Sequence, residues 1–255
     1  MLVRGSYRYA AFLMAALFLP ARTTVAQQRP TDAAKALFDA ANRERTARGL
    51  SPLKWDNTLA TAARKHALLM AQRNSLSHQF PGEAALNDRA AREGARFVEI
   101  AENVAEAPSP GVIHAEWMKS PPHRGNLLDP DLNSVGIAVT ERNGQLFAVQ
   151  DFARAVPNLT IEEQERQLAA LLKARGMHLL DNLSDARRAC AMDRGYAGKS
   201  RPLYVVRFET ADLDDLPDVL LKALKSGRYD SAAAGACAPR STTGFTNYRL
   251  AVLFY

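Results

Sequence analysis

The residues AEWMKSPPHRGNLLDP, Ala115 to Pro130, place an imidazole directly after two prolines. Pro121 and Pro122 end the helix before them and fix the direction of the chain that follows. His123 is therefore presented from a stiff corner, either as a packing device or as one wall of a site. In a site its chemistry is that of imidazole: proton transfer near neutral pH, hydrogen bonding or metal ligation. The chain has five histidines. His78 stands in NSLSHQFPG, a break that puts it on a loop ahead of Pro81 and Gly82. His66 falls on the apolar face of a helix and reads as a satisfied core histidine. His114 and His178 have no partner visible in sequence and read as surface residues. No serine or cysteine stands in a recognisable nucleophile motif, which counts against an acyl-enzyme mechanism.

Helices must come first to position these groups. Ala34, Leu37, Phe38 and Ala41 recur at helical spacing behind the N-capping Thr31 and Asp32, and Gly49 ends that run. Asp56 or Asn57 caps a second helix bearing Leu59, Ala63, His66, Ala67 and Met70. A short helical stretch lies around Leu86 to Glu93, and another helix from Val112 to Lys119 carries Trp117, a core residue, into the proline corner. Asn126 and Asp129 brace the turn after it through local hydrogen bonds. The period then changes to two: SVGIAVT and QLFAVQDFA flank Asn143-Gly144, a hairpin signal.

Pro157 marks a seam. Beyond it, Thr160 and Glu163 form a capping box opening a helix that stops at Gly176. PLYVVRF reads as a strand, Asp214 to Lys225 as a helix and TNYRLAVLFY as a terminal strand, a second, smaller α/β unit over residues 158–255. No internal repeat is visible.

The 255 residues carry a formal charge of +6, with 47% hydrophobic and 24% charged residues, ordinary for a globular protein. Arg4, Arg8 and Arg22 belong to the N-terminal segment, and elsewhere acids and bases are interspersed without a Lys/Arg block, so nucleic-acid binding has little support. The N-terminal segment itself runs from basic (MLVRGSYRY) through apolar (AAFLMAALFLP) to small residues at Ala26. That plan is a signal peptide over residues 1–26, and no later stretch is apolar enough to cross a membrane. Export to a secreted or periplasmic location makes Cys190 and Cys237, the two cysteines, a disulfide pair.

The words ANRERTARGLSPLKWDNTLATAARKHALLMA, LSH, AENVA, EWMKSPPHRGNLLDPDLNSVGIAV and VQDFA, in that order, resemble the CAP superfamily of cysteine-rich secretory, antigen 5 and pathogenesis-related proteins, in its bacterial form. The resemblance covers residues 31–155 and implies an α-β-α sandwich with a central cleft. Carried over by motif, the cleft residues are His78, Glu102 and His123. The family's second acid is expected after the tryptophan segment. That place holds Ser120 here, and Glu116 stands on the other side of Trp117.

Two imidazoles and a carboxylate suit a divalent metal such as zinc. Without metal the same trio binds a polar ligand, acts as general acid and base, or only ties three loops together. The resemblance thus implies a protein that binds a lipid-like or other small ligand without catalysis. A metal-dependent, peptidase-like hydrolase using the same cleft and an envelope protein-interaction module are the alternatives.

Overall fold

The computed structural model describes residues 31–240 and 247–255. The signal-peptide reading for residues 1–26 lies outside the described residues. The first layers are α1 (Asp32–Thr46), β1 (Lys54–Trp55), α2 (Asn57–Arg73), α3 (Leu86–Arg92), β2 (Phe97–Ala107), α4 (Pro110–Lys119), α5 (Pro121–Leu128), β3 (Ser134–Arg142) and β4 (Gln145–Ala155). The expected caps form: the Thr31 and Asp56 side chains accept the first free amides of α1 and α2. The β3–β4 hairpin turns through Asn143 and Gly144, both at positive φ, as a two-residue turn requires.

The sheet order is β1-β3-β4-β2, with β1 parallel to β3 and the other pairs antiparallel. Alternate side chains of β3 feed opposite cores. Val135 and Ile137 join α1 and α4 through Leu37, Ile113 and Trp117, while Ala138 joins α2 through Ala63, Ala67 and Met70. The result is the α-β-α sandwich. Trp117 is buried as expected, and its indole N–H donates to the Val104 carbonyl at 3.1 Å. α2 presses directly on the sheet at Gly136, where a Cβ would lie 2.0 Å from the Ala60 amide nitrogen.

Several elements differ from the sequence reading. FVEIAENVA lies in the long strand β2. The proline corner ends α4 but also starts α5, with both prolines in its first turn. There their missing N–H groups cost nothing, and their fixed φ suits the helix. The helix expected from Asp214 begins only at Asp218, after Pro217.

Residues beyond Pro157 form α6 (Ile161–Ala174), β5 (His178–Leu179), α7 (Leu183–Ala191), β6 (Tyr204–Thr210), α8 (Asp218–Lys225), β7 (Ser231–Cys237) and β8 (Tyr248–Phe254). Their sheet order, β5-β7-β8-β6, repeats that of the first sheet with the same parallel and antiparallel relations. The faces repeat as well. α6 and α8 cover one side through Leu168, Leu172 and Leu220, and α7 covers the other through Ala186 and Ala189. No repeat is visible in the sequence, yet the backbone carries one. At the seam, the Tyr248 hydroxyl bonds the Pro157 carbonyl, and the Arg96 guanidinium stacks 4.2 Å over the Tyr248 ring.

The expected disulfide joins Cys190 of α7 to Cys237 of β7, with Cα atoms 5.8 Å apart. It closes a loop with a sequence separation of 47. Replacing both cysteines by alanine should lower the denaturant-unfolding free energy by up to about 4 kcal/mol on the chain-entropy model. An unchanged unfolding midpoint would show that the bridge contributes no stability.

Candidate functional site

Glu102 sits near the middle of β2, directly opposite Asp151 of β4, which in turn faces Gly136 of β3. Directly opposed residues share a face, so this row lies on the α2 side of the sheet. Asp151 is fully buried there, under the helix that Gly136 admits. Glu102 is nearly so, with its side chain 3% exposed.

A buried carboxylate requires partners. Arg89 of α3 donates to one Glu102 oxygen, and His78 Nδ1 lies 2.9 Å from the other. The same arginine donates to the His78 carbonyl at 2.9 Å and lies 3.6 Å from Glu83. Glu83 accepts the Phe80 amide at 3.0 Å and meets His66 Nδ1 at 2.7 Å. His66 Nε2–H donates to the Ser77 carbonyl at 2.7 Å. His66 is the satisfied core histidine its position in α2 suggested. The loop carrying His78 is thus pinned at Ser77, His78 and Phe80, while the His78 ring itself is 59% exposed.

His123 arrives from the opposite side, in the first turn of α5. Its carbonyl accepts Asn103 Nδ2 at 3.1 Å, and Asn126 donates to the Glu102 carbonyl and to Asn103 Oδ1 at 3.3 and 3.0 Å. Asn126 therefore sews α5 to β2 instead of bracing its own turn. Asp129 does brace the turn, accepting the Asp131 amide at 2.8 Å. Beneath, fully buried Arg45 of α1 donates to the carbonyls of Ser51, Leu127, Asp129 and Leu132, fixing the exit from α5.

The electrostatics separate the two imidazoles. The hydrogen bond to Glu102 raises the His78 pKa above its ordinary value despite partial burial. Burial lowers that of His123, and the nearby His78 charge lowers it further. The two imidazoles are therefore shifted in opposite directions, His78 toward holding its proton and His123 toward losing it. Burial first, and the Glu102 charge next, push the Asp151 carboxyl well above the usual carboxylate range. Neither Asp151 oxygen meets a donor among the described residues. The Asp151 carboxyl is thus biased toward its neutral form beside the Glu102 charge.

Metal ligation fits this arrangement poorly. Both Glu102 oxygens are engaged, one by His78 and one by Arg89. Among the described residues no three His, Cys, Asp or Glu side chains converge to hold an ion. The structure brings His78 and Glu102 into contact and sets His123 close enough for its charge state to feel His78. Ser120 is the hinge residue between α4 and α5. The acids drawn into the cluster are instead Glu83 and Asp151. Signals for both existed: Glu83 follows the Pro81-Gly82 turn after His78, and Asp151 interrupts an apolar strand. Arg89, on the short α3, had none. His114 is not the surface residue expected, since it packs 3.8 Å from Glu44 with its side chain 17% exposed.

Proton NMR titration should place the His78 pKa above about 6.5 and that of His123 below it. Glu102→Gln should lower the His78 value. The half-exposed His78 pair adds only slightly to stability. With the folded value raised, that contribution is full below about pH 6.5 and lost as pH rises through the folded His78 pKa. Equal midpoints, unmoved by Glu102→Gln, would contradict the contact.

Comparison with known proteins gives the cluster its setting. Residues 38–152 match the profile of CAP, the Cysteine-rich secretory protein family. YkwD of Bacillus subtilis (strain 168) is 30% identical over 129 residues, covering 50% of this chain and 50% of that protein. The membrane protein YlbC of the same organism is 31% identical over 113 residues, covering 44% of this chain and 33% of that protein. The chain thus spans half the length of one curated relative and a third of the other. Among solved structures, an extracellular protein containing a SCP domain from Bacillus anthracis str. Ames shares 32% identity at a TM-score of 0.44, over 48% of this chain and 40% of that one. An outer surface protein from Borrelia burgdorferi shares 19% identity at a TM-score of 0.47, over 49% of this chain and 95% of that one. Residues 38–152, which contain His78, Glu102, His123 and the helices that pin them, belong to the CAP family of cysteine-rich secretory proteins.

Proposed function

We propose that this is an exported, non-enzymatic binding protein that holds a small ligand, apolar in its body and polar at its head, over the His78–Glu102–His123 cleft. The observation that carries this reading is the engagement of Glu102 by Arg89 and His78. A carboxylate held in this way turns its oxygens to its own partners and not to an incoming molecule. What an incoming molecule meets first is a pair of imidazoles, one a donor and one neutral, on tethered backbone. That pair suits a carbonyl, hydroxyl or anionic head group. The signal-peptide plan of residues 1–26 supports export, and among the described residues no helix is long and apolar enough to cross a membrane. In this reading residues 31–155 carry the cleft, and residues 158–255 form a second unit beyond the seam at Pro157.

Protein purified from the envelope or medium should release a bound small molecule on solvent extraction, identified by mass spectrometry. His78→Ala and His123→Ala should each retain about tenfold less, the loss expected for a charge-assisted hydrogen bond. A chain ended after Ala155 should retain the ligand. Turnover of a peptide library that Glu102→Gln or a chelator abolishes would replace this reading with the hydrolase. An extract empty for both wild type and variants would remove it.

A further inference from the structure

The His/Glu cleft lies along β2, at one edge of the first sheet, and the opposite edge carries a different feature. There the two-residue β1 covers only the start of β3: the Val135 carbonyl accepts the Asp56 amide at 3.0 Å. Strand alternation aims the backbone groups of Ile137 and Val139 the same way, past the end of β1. They face a cavity of about 340 Å³ walled by Ala34 of α1, by Trp55, and by Ala60 and Arg64 of α2. Arg64 is exposed at the rim and has no ion-pair partner among the described residues.

The second sheet shows what such a corner holds. His178 N–H to Asp230 and Leu180 N–H to Ala232 repeat the bonds from Lys54 to Asn133 and from Asp56 to Val135. By that register Ala236 of β7 stands where Val139 stands in β3. The Ala236 amide donates to Glu165 Oε1 at 3.0 Å, and Arg187 of α7 grips both Glu165 oxygens at 2.7 Å. Glu165 precedes the fully buried Leu168 by three positions in α6, as Ala34 precedes the fully buried Leu37 in α1. Arg187 follows Ala186, which lies over Gly235. Arg64 follows Ala63, which packs with Ala138, and by the same register Ala138 is the counterpart of Gly235. The first sheet therefore keeps the arginine and the strand amide but has a methyl group where the second has a carboxylate.

We propose that this cavity binds a small organic acid, its carboxylate between Arg64 and the Val139 amide and its apolar body against Trp55, Ala60 and Ile137. The ligand reproduces from outside the contact that Glu165 makes from within, a charge-assisted pair with an arginine fork plus one strand-edge hydrogen bond. The volume leaves room for a chain or ring behind the carboxylate.

The test uses the full chain with hexanoate and its neutral isostere hexanamide, read by calorimetry and by the ¹⁵N shift of the Val139 amide. Hexanoate should bind and move Val139, and hexanamide should bind about tenfold or more weakly. Arg64→Gln should erase the difference between the two. Ala34→Glu should install the missing carboxylate, abolish hexanoate binding and raise the melting temperature. Equal affinity for acid and amide, hexanoate binding indifferent to Arg64→Gln, or saturation without a Val139 shift would each overturn the proposal. Arg64→Gln lies on the surface and keeps the test decisive even if Ala34→Glu fails to fold.

Discussion

Glu102 sets a constraint on everything packed around it, because a carboxylate buried on an apolar sheet must be neutralised by groups the fold brings from elsewhere. Arg89 supplies the charge and ties α3 to β2. The same arginine reaches the His78 carbonyl and Glu83, so the loop between α2 and α3 takes its shape from the ion pair. Burial and the Glu102 charge push the Asp151 carboxyl above the usual carboxylate range. His78, exposed above, gains its raised pKa from the same oxygen pair. One charge thus organises the helix, the loop and the protonation pattern of the cleft.

The second sheet has the same strand order and the same helix faces without that charge. In the register that aligns Val135 with Ala232, Glu102 and Asp151 correspond to Val205 and Leu253, which face each other across β6 and β8. An apolar pair needs no arginine, and the cysteine bridge fastens the α7 helix to β7 instead. Fully buried Phe152 and Phe254 occupy matching places beside these pairs. The architecture is therefore separable from the chemistry, since the sandwich persists where the polar row is gone. The reverse holds at the other strand edge, where Glu165 and Arg187 close a corner that Ala34 and Arg64 leave open.

Local signals in the sequence were legible and long-range ones were not. Thr31, Asp56 and the Thr160–Glu163 box cap their helices because capping needs only a few consecutive residues. Asn143-Gly144 turns its hairpin for the same reason. β7, Ser231–Cys237, escaped notice because SAAAGAC has little strand propensity. It is a strand because β5 and β8 pair with it on both sides. β2 lacked clean alternation since residues on both of its faces are covered. In the site, His78, Glu102 and His123 are legible as motifs and Asp151 only as a charge within an apolar strand, while Arg89 carries no signal. The roles of Arg89 and Asp151 come from α3 crossing β2 and from strand register, which no window of sequence encodes. The repeat was hidden because the residues that mark the first cleft are replaced in the second sheet.

The central claim, that the Glu102–Arg89 pair organises the cleft, is tested most directly by a double-mutant cycle on stability with Glu102→Gln and Arg89→Met. Each single change strands a buried partner, so each should cost about 3–5 kcal/mol. The double change should cost less than the sum by a coupling of about 2–3 kcal/mol. Additive losses, with coupling near zero, would show that the two side chains stabilise the fold independently and that the cleft is organised by something else.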